Sequence, residues 1–246
     1  MQKDRFPMDR LTTLVERFRL EVRLAKQDDA NLLVLGGVNL PEKVLFFTRG
    51  QGVQEQAGAL LLVHVSWAGQ NNPLLAALPD VVDFDLAGQA DTQALVRVML
   101  AEVRGNRCGA QSVANRLGEA LMVRLLRDQI ERGATEAGLL AGMADPRISR
   151  AIVSMHDHPG RVWKNSDLAM VAGLSLSRFV ELFGTIVGET PMGYLRRWRL
   201  ILARQDAEQG DRIDAIARRY AYGSTESFTR AFRRAHGVAP SSLRTP

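Results

Sequence analysis

The chain has 246 residues, 46% of them hydrophobic and 24% charged, a balance that excludes a disordered polypeptide and leaves room for one large core or two small ones. No apolar run approaches the roughly 18 residues of a membrane span, the start MQKDRFPMDR mixes charges where a secretion signal would be apolar, and the single Cys108 excludes a disulfide framework or a cysteine-rich zinc site, so a cytoplasmic protein without a membrane partner is expected. The net charge of +5 is unevenly placed: residues 1–146 carry 16 Lys and Arg against 18 Asp and Glu, whereas residues 147–246 carry 16 against 9, which implies different partners for the two halves.

In chain order, Leu32–Val38, Lys43–Thr48 and Ala59–Trp67 are short apolar, β-branched or aromatic runs bounded by Gly, Pro and Asn, and they read as strands. The prolines of NPLLAALPD mark turns beyond them. The period then changes. Asp91 is expected to cap a helix through Val103, and a longer helix should run from about Ser112 to Arg132, with Val113, Leu117, Leu121 and Leu125 on one row. Met122, Leu126 and Ile130 form a second row, so this broad stripe suits either packing inside the domain or a partner chain, and a homodimer is expected. Cys108 falls between the two helices, either as a sensor thiol beside Arg104 and Arg107 or as an inert loop residue. In MADPRISRAI, Asp145 and Pro146 form a helix start, which divides the chain into residues 1–142 and 143–246.

The second half contains a repeat. Phe179, Phe183, Gly188 and Pro191 recur 49 residues later as Phe228, Phe232, Gly237 and Pro240, while Leu168, Ala169, Gly173 and Leu174 recur 48 residues later as Ile216, Ala217, Ala221 and Tyr222. A repeat at fixed offset is a repeated structural unit. Each copy reads as helix, turn, helix, about 165–187 and 212–236: Asn165 or Ser166 is expected to cap the first helix, Ser175 or Ser177 to open the second, and each aromatic pair turns inward. Between them a helix from Thr190 and Pro191 to about Gln209 should bury Tyr194, Leu195, Trp198, Ile201 and Leu202. At ~1.5 Å per residue it is a rod of about 27 Å, able to hold two recognition helices in groove segments ~34 Å apart.

WKNSDLAMVAGLSLSRFVELFGTIVGETPMGYLRRWRL and then IDAIARRYAYGSTESFTRAFRRAHGVAPSSLR resemble the DNA-binding domain of the AraC/XylS transcription regulators. NPLLAALPDVVDF, with the helices after it and MADPRISRAI, resembles the cupin-type sensor domain of one AraC subfamily. The resemblance implies an α+β chain: a small, shortened β domain with a helical pair, then an all-α domain with two helix-turn-helix motifs. It departs in two places. Ala221 stands where the family usually has a turn glycine, which implies strain, and the region before Asn71 is short for a full barrel. By the same resemblance the first recognition helix presents Ser177, Val180 and Glu181 to DNA, with Arg178 beside them balancing Glu181, and the second presents Glu226, Thr229 and Arg230. Arg230 suits a bidentate contact to guanine, Glu181 or Glu226 would accept from cytosine, and Val180 would meet a thymine methyl. Arg233 and Arg234 suit phosphates. Arg196, Arg197, Arg199 and Arg204 suit phosphates less, since some should pair with Asp206 or Glu208.

Other chemistry finds little support. His156 and His158 have no further ligand at metal spacing, and read as a helix end before Pro159. His64 alone cannot make a cupin metal centre, and the cysteines of a DNA-repair alkyl transferase are absent, so no enzyme, cofactor or metal is expected. The resulting expectation is a sequence-specific transcription regulator, activator or repressor, with RNA polymerase as a further partner and a small-molecule effector or stress signal acting on residues 1–142. An effector would need a cavity lined by Val34, Leu45, Phe47, Leu61 and Val63. A domain that merely holds two chains together would fill it.

Overall fold

The structure, a computed structural model, describes residues 11–18, 20–37, 40–49, 58–67, 72–105, 107–132 and 137–243; Val38, Asn71 and Arg244 lie outside them. Contacts divide the chain into a unit over Leu14–Gly133 and a helical unit that includes Ala134–Pro246.

After a short helix α1 (Thr12–Arg17), five strands among the described residues form one antiparallel sheet: β1 (Leu20–Leu24), β2 (Leu32–Gly37), β3 (Leu40–Phe47), β4 (Ala59–Trp67) and β5 (Val81–Asp85), in the order β1-β4-β2-β3-β5. The three apolar runs read from the sequence are β2, β3 and β4. β3 begins earlier than its apolar run because Gly37 pairs with Leu40 across the β2–β3 hairpin. The short β1 and β5 are additions to the sequence reading. Within NPLLAALPD, Asn72 accepts a hydrogen bond from the Leu74 backbone N–H at 2.9 Å and Pro73 starts a one-turn helix α2 (Pro73–Ala77) where only turns were expected.

Strand alternation gives the sheet two different faces. Val22, Leu32, Val34, Val44, Phe46, Leu61, Val63, Val65, Val82 and Phe84 share one face by register and are all buried. That side meets the helix pair α3 (Ala90–Gly105) and α4 (Ala110–Glu131), which pack on each other and on β1, β3 and β5. α3 starts one residue before Asp91, which stands in its first turn rather than at the cap. Gly118 permits the close approach of α4: a Cβ there would sit 2.3 Å from Cγ1 of Val22. The opposite face carries Leu33 with Ala25, Leu35, Leu45, Phe47 and Leu62 around it, mostly half-buried. The cavity expected from Val34, Leu45, Phe47, Leu61 and Val63 therefore does not form as one lining, because Leu45 and Phe47 point to the opposite side from the other three. In α4, Leu121, Met122, Leu125, Leu126 and Ile130 are all buried within the chain, Leu117 is half-buried and Val113 is exposed, so the second apolar row and the later half of the first pack into the core of their own chain.

The helical unit runs α5 (Leu139–Ala144), α6 (Ile148–Asp157), α7 (Asn165–Ala172), α8 (Leu176–Val187), α9 (Pro191–Glu208), α10 (Ile213–Arg219) and α11 (Thr225–His236), then a 3-10 turn at Pro240–Leu243. α5 packs on α6 and α8 through Leu139, Leu140 and Met143. Asp145 stops it and starts the next helix, accepting from the backbone N–H groups of Arg147 at 2.8 Å and Ile148 at 3.1 Å. The Arg147 side chain, and then these N–H groups, hold the Asp145 carboxyl below the usual carboxylate range despite partial burial.

Candidate nucleic-acid interface

α7 and α8 meet at 84° across a three-residue turn, the geometry that lets a second helix project from a helix-turn-helix. The turn is made by Gly173 in the left-handed region, φ 71°, and Ser175 caps α8 by accepting from the Arg178 N–H at 3.4 Å. Phe179 and Phe183 face inward, fully buried with rings 5.6 Å apart. One helical period then places Ser177, Arg178 and Glu181 on the exposed side and leaves Val180 half-buried. The second unit repeats the arrangement. Ser224 caps α11, accepting from the Ser227 N–H at 3.1 Å, Phe228 and Phe232 are fully buried with rings 5.5 Å apart, Glu226, Arg230, Arg233 and Arg234 are exposed, and Thr229 is half-buried. Ala221 occupies the position of Gly173 with φ 59°, and among the described residues no other non-glycine residue has positive φ.

α9 joins the two units. Thr190 caps it by accepting from the Gly193 N–H at 3.2 Å, with Pro191 in the first turn. Tyr194, Leu195, Trp198 and Leu202 are buried as the stripe required, while Ile201 is half-buried. Beneath it lies a buried histidine. His156 of α6 is 1% exposed, its ring stacked on Trp198 with centroids 4.1 Å apart and its Nε2 2.6 Å from the Tyr194 hydroxyl. Burial, and secondarily Arg197, push its pKa down to about 3, so the ring is neutral. No local signal in MHDHPG distinguishes this core position.

Charge pairing separates the two recognition helices. On α8 the guanidinium of Arg178 lies 2.9 Å from Glu181, so the helix neutralises itself. In the second unit Arg212 and Arg218 pair with Asp214 and Arg219 with both Asp206 and Asp211, while among the described residues Arg230, Arg233 and Arg234 form no ion pair. Glu226 turns toward the start of α11: its own N–H, then the Ser224 hydroxyl and Arg230, hold its carboxyl below the usual range. On α9, Arg204 pairs with Glu208 at 2.8 Å as expected and Arg197 with Glu189. Asp206 instead binds Arg219 and the Tyr220 hydroxyl, a correction to its expected role within α9. Arg199 donates to the backbone carbonyls of Pro159 and Arg161, both at 2.7 Å. A further cation unnoticed in the sequence is Arg150 of α6, whose Nη1 lies 3.8 Å from where a side chain on Gly173 would begin, beside the first turn.

Compared with known proteins, residues 168–245 match a helix-turn-helix domain family and residues 11–131 a cupin family. A protein of Streptomyces antibioticus named as an AraC-like transcription regulator is 34% identical over 176 residues, covering 70% of this chain and 58% of that one. Over most of its length the chain is similar to AraC-like transcription regulators. Among further AraC-type relatives, an AraC-like transcription regulator of Streptomyces lividans is 36% identical over 134 residues, which cover 54% of this chain and 44% of its own. A crystal structure of an AraC-type DNA-binding domain protein from Chromobacterium violaceum is 25% identical, with a TM-score of 0.39, over 40% of this chain and 89% of that one. The chain thus spans about half the length of the curated AraC-type relatives it matches. Among the described residues no single helix is long and apolar enough to cross a membrane, and no group of three or more His, Cys, Asp or Glu could hold a metal ion.

Proposed function

We propose that the protein binds specific duplex DNA through α8 and α11 and regulates transcription in the cytoplasm. The observation that carries this reading is the pair of capped, outward-facing helices on one rod, with Arg230, Arg233 and Arg234 on the second forming no ion pair among the described residues. Arg230 reads guanine and Arg233 and Arg234 anchor phosphates; in the first unit Ser177, Val180 and Glu181 face the bases with Arg178 beside them, and Thr229 and Glu226 complete the second. No reaction is assigned to the chain. Its sensory half, residues 1–142 by the sequence division, takes a small-molecule effector, for which the half-buried apolar face around Leu33, Leu45 and Phe47 is the support. The effector shifts the population of the DNA-competent state. A homodimer and contact with RNA polymerase belong to the same reading; the exposed Val98 and Val113 are what α3 and α4 leave for a second chain.

Selection of bound sequences from a random DNA pool by the full chain, followed by titration of the selected site at two salt concentrations, tests the reading. A recovered motif whose affinity falls steeply with salt is expected. Recovery of no motif and no salt-sensitive binding would refute it. Sedimentation at micromolar concentration checks the dimer.

A further inference from the structure

A cleft of about 280 Å³ opens in the helical unit where the loop before α7, the α9 rod and the turn of the second helix-turn-helix converge. Its walls include Trp163, Met192 and Leu195, and its polar groups include Arg196 and Tyr222. The walls are held from behind. Arg199 ties the loop to α9 through its two carbonyl bonds, Arg161 lies over the Trp163 ring at 4.0 Å, and the indole N–H donates to the His158 carbonyl at 3.0 Å. The polar groups, by contrast, are left unused. The Tyr222 hydroxyl is buried and has no hydrogen-bond partner among the described residues, an arrangement that costs free energy unless something fills it. Arg196 is exposed and forms no ion pair among them.

We propose that this cleft binds a small apolar carboxylate, whose acid group accepts from Tyr222 and Arg196 while its hydrocarbon part lies against Trp163, Met192 and Leu195. The chemistry points to an acid rather than an amine or a sugar. Burial pushes the phenol above its usual range, against the pull of Arg199 and Arg196, so the hydroxyl stays protonated and donates. A guanidinium beside a donating hydroxyl presents donors, which a carboxylate satisfies with charge-assisted bonds. The volume admits about one ring and a short chain. Because the occupant touches the loop leading into the first helix-turn-helix and the turn of the second, it fixes the two motifs relative to each other. That consequence for DNA rests on the function proposed above; the binding site itself does not.

The test is calorimetry and thermal melting of the full chain with 3-phenylpropionate, with 3-phenylpropanol and inorganic phosphate as controls. Saturable binding with a Kd on the order of 1 mM is expected for a ligand of this size. The alcohol and phosphate should each bind at least about tenfold more weakly, one lacking the charge and the other the apolar part. Tyr222→Phe and Arg196→Gln should each weaken the acid about tenfold. Tyr222→Phe should leave the unliganded melting temperature unchanged or higher, because it removes a hydroxyl that bonds to nothing; a role for that hydroxyl in the fold would lower it. Absence of saturable binding, equal binding of the alcohol, or undiminished binding by both variants would overturn the proposal. Duplex binding is titrated separately, so a failure of the DNA reading is told apart from a failure of the site.

Discussion

Lowering the pH from 7.5 to 5.5 should destabilise the helical unit through His156, by an amount that follows from its position. An unfolded chain has an ordinary imidazole near pH 6.5, whereas the folded ring, sealed between Tyr194 and Trp198, takes a proton only near pH 3. The folded pKa is depressed, so the full stability is present above pH 6.5. It is lost progressively as pH falls toward 3, where the folded ring finally protonates. Across that window the unfolded state binds one more proton, which is worth about 1.4 kcal/mol per pH unit. Between pH 7.5 and 5.5 the loss from this residue alone should be about 1.4 kcal/mol. His236 is also shifted down, by burial, so the contribution of His156 is isolated by comparison with His156→Gln, which keeps an acceptor for Tyr194 but cannot titrate. Urea unfolding followed by tryptophan fluorescence at both pH values measures it. The variant should be less stable at pH 7.5 yet lose about 1.4 kcal/mol less than the wild type on acidification. Equal losses in the two proteins would mean that the folded ring protonates as readily as a free one, and the buried neutral histidine would be refuted.

Ala221→Gly relieves a left-handed alanine and should stabilise the helical unit by about 0.5–1 kcal/mol in urea titrations, after the extra unfolded-state entropy of glycine is set against the strain. Gly118→Ala should destabilise the sheet unit by about 1–3 kcal/mol, since the new methyl would collide with Val22 and the helix would have to lift. Arg230→Ala should cost ~1–3 kcal/mol on a selected DNA site and relax preference at one base pair, whereas Arg233→Ala should weaken all duplexes alike and reduce the salt slope by about one. Glu181→Ala removes a negative charge and releases Arg178 from its pair, so affinity for random duplex should rise; a fall comparable to that of Arg230→Ala would show that Glu181 positions the helix instead of facing the groove.

The parts of the structure that were legible in the sequence are those whose physical signal is local. The aromatic pairs Phe179/Phe183 and Phe228/Phe232, the caps Ser175 and Thr190, and the anomaly at Ala221 each depend on a few neighbouring residues, and each appears where it was read. β2 and β4 were visible because central strands are apolar on both faces. The edge strands β1 and β5 were not, because LEVRL and VVDFD interleave their apolar residues with charges and are only five residues long. Which apolar residues share a face depends on register, which distant partners set, and this is why Leu45 and Phe47 were grouped with Val34. Burial of Leu121, Met122, Leu125, Leu126 and Ile130 on α4, and of His156, depends on elements far away in the chain. The ion pair between Arg178 and Glu181 was legible from spacing, while that between Arg219 and Asp206 required the end of α9 to meet α10.

The charges that hid β1 and β5 have another effect. Among the described residues this sheet does not close on itself, and within them each outer strand has no strand partner on its outer side, an edge along which a foreign strand could align. A closed barrel removes that hazard by geometry, and here side-chain charge takes over the task. On β5 the alternate residues Asp83 and Asp85 are both acidic and exposed, with Asp83 paired to Lys43 of β3 at 3.0 Å, so a second copy meeting edge to edge would bring further carboxylates against Asp85 and compete for that pair. On β1, Glu21 and Arg23 are likewise exposed, and a newcomer would have to strip water from both. The open sheet is therefore guarded against self-association at the two places where fibril growth would begin, and replacing Asp83 and Asp85 with Thr, which suits a strand equally well, should leave the fold intact and make the protein prone to aggregate.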